Sequence, residues 1–170
     1  MQTHFSEYIP LAALVLFIGL LAFLIWRGNY KIGAYIVQVA AALFLSSAFG
    51  FGLYVLSAVM ITTWIFRGSQ EFLMINAVVV QAFGATIGFG IIKRYGTAEN
   101  RVNLKELATS FILGTIGAYL GFQLFKDATF AADFVTNANS VAGAFFGAII
   151  FSNALLIVGG LVNVLRNREP

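Results

Sequence analysis

The side chains in this 170-residue sequence that could carry chemistry are few and scattered. There is one histidine, His4, close to the N-terminus, and there is no cysteine. Metal sites generally need several ligands, so His4 reads as a solvated or interfacial residue. Thiolate nucleophiles, cysteine-bound metals and disulfides are excluded. Glu99 and Glu106 flank one charged connection, KRYGTAENRVNLKE, and Asp127 and Asp133 fall in another. Paired carboxylates can exchange protons with a substrate, but these read as solvated loop charges. The remaining candidates are neutral: Gln38, Ser57, Thr62, Gln81, Thr86, Thr109, Thr115, Gln123, Ser152 and Asn153, all inside long apolar stretches. In lipid each needs a hydrogen-bond partner, and such groups tie helices together at roughly 0.6 to 2 kcal/mol apiece or line a hydrated path. A polar pathway would draw on Gln38, Gln81, Thr86, Thr115, Gln123 and Asn153. No catalytic residue, metal ligand or cofactor is assigned.

The elements that hold these residues are set by the solvent the sequence demands. Hydrophobic residues make up 60% of the chain and charged residues 10%, against roughly a quarter charged in soluble domains. The mean hydropathy is +0.90. So much apolar surface cannot all be interior, and lipid must cover the rest. Stretches of about twenty apolar residues, enough to span a bilayer, run over Ile9 to Trp26, within Ile36 to Phe66, and over Phe72 to Ile92, Leu107 to Phe125 and Ser140 to Leu165. The expected fold is therefore all-α: a single polytopic transmembrane helix bundle of five spans. No Asp, Glu, Lys, Arg or His lies inside any of them, which argues against a membrane-embedded proton relay or voltage sensor.

Charge sets the orientation. With one crossing per stretch, Arg27, Lys31, Lys93, Arg94, Arg101, Lys105, Arg166 and Arg168 share the cytoplasmic side and only Arg67 and Lys126 lie outside. That predicts an N-terminus outside and a C-terminus inside. The net charge of +3 is thus a topology signal rather than a nucleic-acid footprint, because the basic residues do not cluster on one face. The second stretch is the awkward one. Tyr35 to Phe66 carries no charge, and a straight helix of that length, roughly 48 Å, overshoots a hydrocarbon core of about 30 Å. Ser46, Ser47, Gly50 and Gly52 near its middle predict a bend or break there. Tyr8, Trp26, Tyr30, Tyr35, Trp64 and Tyr95 mark segment ends at headgroup depth. Connections of roughly a dozen residues leave no room for a soluble catalytic domain.

The last three spans carry glycines at helical spacing: Gly84 and Gly88 with Gly90 beyond, then Gly114, Gly117 and Gly121, then Gly143 and Gly147. Glycines four apart lie on one helix face and let a neighbouring backbone come close. This divides the chain into two N-terminal helices over 1–71, the second long and kinked, and a glycine-rich three-helix core over 72–165. Through AFGATIGFGII, FILGTIGAYLGFQLF and SVAGAFFGAIIF, the region Phe72 to Leu165 resembles the transglycosylase-associated family of small bacterial membrane proteins. The resemblance implies a bacterial inner-membrane protein of three glycine-rich helices and carries over no catalytic residue. The two extra helices and the charged KRYGTAENRVNLKE connection depart from that family's pattern.

The expected role is a non-enzymatic scaffold or accessory subunit that packs in the lipid bilayer against itself or other membrane proteins. The alternative is an oligomeric channel or transporter for a small, weakly polar solute. The topology is testable because the chain has no cysteine of its own. Gln2→Cys should react with an impermeant maleimide in intact cells and Arg168→Cys only after permeabilisation; the reverse pattern would invert the orientation.

Overall fold

A computed structural model describes residues 19, 23, 30–64, 70–95, 102–126 and 138–166. Every element among them is helical. Helix α1 is Tyr30–Trp64. The short α2, Gln70–Ile75, runs into a π-helical turn at Asn76–Val80 and on into α3, Gln81–Tyr95. Helix α4 is Leu104–Leu124, α5 is Ala138–Ser152 and α6 is Ala154–Arg166. Four helical stretches are long and apolar enough to cross a membrane: Ile32–Met60, Asn76–Tyr95, Leu104–Leu124 and Asn139–Val162. The count shown is four, not the five expected. Of the first expected span only Gly19 and Phe23 are among the described residues, both helical.

The second expected span is one long helix, without a break near its middle. Tyr30–Trp64 is one uninterrupted α-helix of 35 residues, about 52 Å long at 1.5 Å per residue, so it does not break at these small residues. Its small residues serve contacts instead. Ser47 Oγ donates to Leu43 O of its own helix at 2.7 Å, and Ser46 Oγ donates across to Ala85 O on α3 at 2.8 Å. Gly50 lies so close to α3 that a Cβ there would sit 3.3 Å from Gln81 O. The irregular backbone occurs elsewhere, at the π-turn of the third span and at Asn153, which separates α5 from α6.

Two antiparallel helix pairs make up the bundle. In the first, α3 lies on α1: a Cβ at Gly84 would be 2.5 Å from Phe49 O and 2.6 Å from Gly50 Cα, and one at Gly88 would overlap the backbone of Ser46. In the second, α4 lies on α5: a Cβ at Gly117 would be 2.5 Å from Gly147 O, and Gly121 and Gly143 press on each other's carbonyls. The ridge of the third span thus faces the second span, while the ridges of the fourth and fifth face one another. The buried apolar residues are chiefly alanines: Ala42, Ala77, Ala82, Ala85, Ala118, Ala144 and Ala148. Large residues such as Phe44, Leu56, Ile112 and Val158 point outward. That inversion suits a lipid surround, where close backbone packing replaces the hydrophobic effect as the source of helix association.

The pairs also join at the end that holds Tyr35 and Lys93. Tyr35 Oη donates to the Ile157 carbonyl of α6, and its ring occupies the space a Cβ would take at Gly160. At the same end Lys93 of α3 meets Glu106 of α4 at 3.5 Å. Helix α4 starts there because Asn103 caps it, its side chain accepting from Lys105 N at 3.0 Å, and Glu106 in the first turn complements the helix dipole.

Bulk at the glycine contacts must push backbones apart. Gly84→Leu, Gly117→Leu and Gly147→Leu should each lower unfolding stability by about 3 kcal/mol or more, the upper end for overpacked cores. Gly52→Leu, where no described atom lies within 4 Å of the added carbon, should stay within about 0.5 kcal/mol. Steric trapping in bilayers measures both, and equal effects at interior and exterior glycines would contradict this packing.

Candidate functional site

The neutral polar residues of the interior form a seam across the bundle. At its centre is Asn153, fully buried where α5 gives way to α6. Its Nδ2 donates to Ile149 O at 2.8 Å and to Ser46 Oγ of α1 at 2.9 Å. Because the side chain competes for the Ile149 carbonyl, the backbone N–H of Asn153 reaches that oxygen only at 3.4 Å, whereas the next bond, Ile157 N to Asn153 O, is 2.9 Å. A side-chain amide bonding back to its own helix in this way loosens the ladder locally. Ser46 passes the chain on to Ala85 O of α3. From α4, Ser110 Oγ donates to Ser152 O at 2.9 Å. Four elements of the bundle are therefore tied by hydroxyls and one carboxamide.

A second tie sits at the π-turn. Ser57 Oγ of α1 donates to Asn76 Oδ1 at 2.8 Å, and Asn76, Ala77 and Val78 are buried against the bundle. A π-turn widens a helix by one residue and is often found where a side chain must be placed for function. Irregular backbone of this kind is tolerated at membrane depth where protein surrounds it.

Four buried polar atoms have no hydrogen-bond partner among the described residues: Asn76 Nδ2, Gln81 Oε1, Ser152 Oγ and Asn153 Oδ1. Gln81 is 1% exposed and both Ser152 and Asn153 are fully buried, so each carries a desolvation cost of about 1 to 3 kcal/mol until it is paired. Gly114 has a specific part here. A Cβ at Gly114 would overlap Ser152 Oγ and lie 3.5 Å from Ala82 Cβ, so this glycine makes room for a hydroxyl as well as for a backbone. The groups of the seam are hydroxyls and carboxamides, which hold one charge state around neutral pH. They can orient water or a small polar molecule by hydrogen bonding. Among the described residues no three His, Cys, Asp or Glu side chains come together as a metal site would require.

The residues read from sequence as a pathway separate into two groups. Gln81, Thr86 and Asn153 are buried in the interior, with the Thr86 hydroxyl donating to Ala82 O of its own helix at 2.8 Å. Thr115 is half-buried and donates to Phe111 O at 2.8 Å. Gln38 is half-buried on α1, and Gln123 is exposed on α4 and lies outside the seam. Sequence reasoning missed Asn76 and Ser110, and read Ser46 only as a source of bending. The available signal was the spacing Ser46–Gly50 and Ser110–Gly114, a serine one turn from a packing glycine.

The fold defines a class: an all-helical protein with four described helices suited to crossing a membrane and a neutral polar interior. Comparison with protein-family models, curated proteins and solved structures returned no match to the chain.

The seam predicts coupling between distant residues. In a double-mutant cycle, Ser46→Ala and Asn153→Ala should show an interaction of about 0.6 kcal/mol, with a ceiling near 1.7, the range for hydrogen bonds between membrane helices. Strict additivity would mean that the two side chains do not share a bond.

Proposed function

We propose that this chain is a non-enzymatic integral membrane protein serving as a scaffold or accessory subunit. It crosses a bacterial inner membrane five times, with the N-terminus outside and the C-terminus in the cytoplasm. The observation that carries the reading is where the small residues go. Gly84, Gly88, Gly117, Gly121, Gly143 and Gly147 are consumed in contacts within the chain, and they make the bundle a closely packed unit. Among the described residues, one pair of small residues on α1 faces outward. Ala48 and Gly52 lie one turn apart on α1, both exposed, flanked by exposed Phe44, Phe51 and Val55. Such a face lets a partner helix come close in lipid, where small residues and shape decide association. The orientation follows from the basic residues of the connections, and a kinship with the transglycosylase-associated family over Phe72 to Leu165 belongs to the same proposal.

A second reading, a pore for a small polar solute, is favoured by one observation, the unpaired acceptors Gln81 Oε1 and Asn153 Oδ1 in the bundle interior. It would require solute flux through the reconstituted protein that Gln81→Leu abolishes without changing assembly.

The scaffold reading is tested by photocross-linking in native membranes. A benzophenone maleimide on Ala48→Cys should capture a second polypeptide, and adding Gly52→Leu should abolish the adduct while leaving unfolding stability unchanged. Cross-links only to lipid, or only to residues 9–26 of the same chain, would contradict a partner on this face.

A further inference from the structure

Three of the buried polar atoms without a partner, Gln81 Oε1, Ser152 Oγ and Asn153 Oδ1, belong to residues that gather around one turn of α3. Gln81 opens that turn, and Gly50 of α1 faces it so closely that an added Cβ would sit 3.3 Å from the Gln81 backbone oxygen. Asn153 reaches the same turn through Ser46. Its Nδ2 donates to Ser46 Oγ at 2.9 Å, and that hydroxyl donates to Ala85 O, one turn along α3 from Gln81. Ser152 Oγ lies against Gly114, which also faces Ala82 Cβ. The orientation of the Asn153 carboxamide is fixed, because turning it over would set Oδ1 against the Ile149 carbonyl oxygen that Nδ2 now meets at 2.8 Å.

The hydroxyls and the carboxamide that surround this turn have already spent their hydrogens. Ser46 donates to Ala85 O, Thr86 to Ala82 O and Ser110 to Ser152 O. Both hydrogens of Asn153 Nδ2 are engaged, on Ile149 O and on Ser46 Oγ. What remains is an excess of acceptors: two carboxamide oxygens, with one hydroxyl that can accept or donate. Left dry, they would forfeit a large share of a domain's net stability. The partner they need must donate hydrogen bonds. It must be uncharged, because no acidic residue lies within the spans to balance a cation at this depth. It must also be small, since α1 and α3 touch backbone to backbone at Gly50 and Gly84. Water meets all three conditions, and buried waters in proteins sit on polar groups that the chain leaves unsatisfied.

We propose that the interior of the bundle binds water on Gln81 Oε1 and Asn153 Oδ1, as a structural part of the fold. Gln81 is 1% exposed and Asn153 is fully buried, so this water is enclosed by helices rather than continuous with an open path. The inference goes beyond the scaffold reading and does not depend on it.

The direct test is water-edited solid-state NMR of the full, carbon-labelled chain in bilayers, in which magnetisation passes from water protons to nearby carbons. Gln81 Cδ and Asn153 Cγ should gain signal from water, whereas Ala118 Cβ, fully buried on α4, should not. Gln81→Met, close in volume but without the hydrogen bond, should raise the unfolding constant about fivefold, the weight of one paired group. Were the oxygen dry, the same substitution would lower that constant by removing an unsatisfied acceptor. Replacing sodium by N-methylglucamine should leave the chemical shifts of both carboxamides unchanged. Absence of transfer from water to either carboxamide, a Gln81→Met variant as stable as the wild type or more so, or carboxamide shifts that follow sodium would overturn the proposal.

Discussion

Inside a bilayer a leucine gains little by turning from a lipid tail to another leucine, so helices hold together chiefly through close backbone packing and the hydrogen bonds it permits. In this chain that contact is made by glycine against backbone: Gly84 on Phe49 and Gly50, Gly117 on Gly147, and Gly121 on Gly143. The consequences reach through the whole molecule. Close approach leaves space in the interior for nothing larger than alanine at most positions and sends the bulky residues to the outside.

The polar seam depends on the same closeness. The Ser46 hydroxyl can reach the Ala85 carbonyl only because Gly88 lets α3 come down on that turn of α1, and the hydroxyl of Ser152 fits beside α4 only because residue 114 is a glycine. Hydrogen bonds formed in this setting are modest individually. Their larger effect is on register, because a slip of one residue would move Ser46 off the Ala85 carbonyl in the first pair or Ser110 off the Ser152 carbonyl in the second. The weakened backbone bond at Asn153 and the π-turn beginning at Asn76 are the local concessions that bring carboxamides to these positions.

Much of this was legible in the residues themselves. Long uncharged stretches and their polar punctuation located the second to fifth spans, because in a bilayer both length and charge are constrained. The glycine spacing marked the packing faces, and Gln81 and Asn153 stand out as polar residues within apolar stretches. Which ridge meets which was not legible, since Gly84 and Gly88 carry no mark that distinguishes a partner at Ser46 and Gly50 from one at Gly117. The break allowed for at Ser46 to Gly52 does not occur, for a related reason. Ser46, Ser47, Gly50 and Gly52 are weak helix formers in isolation, but in the bundle tertiary contacts keep α1 continuous. Asn153, whose amide competes with its own backbone, is where the helical ladder weakens instead.

The bundle stands on backbone contact at the glycines, and the most direct measurement is solid-state NMR of the protein in bilayers with carbon-labelled glycine. Close through-space contacts between Gly117 and Gly147, between Gly121 and Gly143, and between Gly50 and Gly84 are the predicted result. Helical chemical shifts at these glycines with none of those contacts would contradict the account.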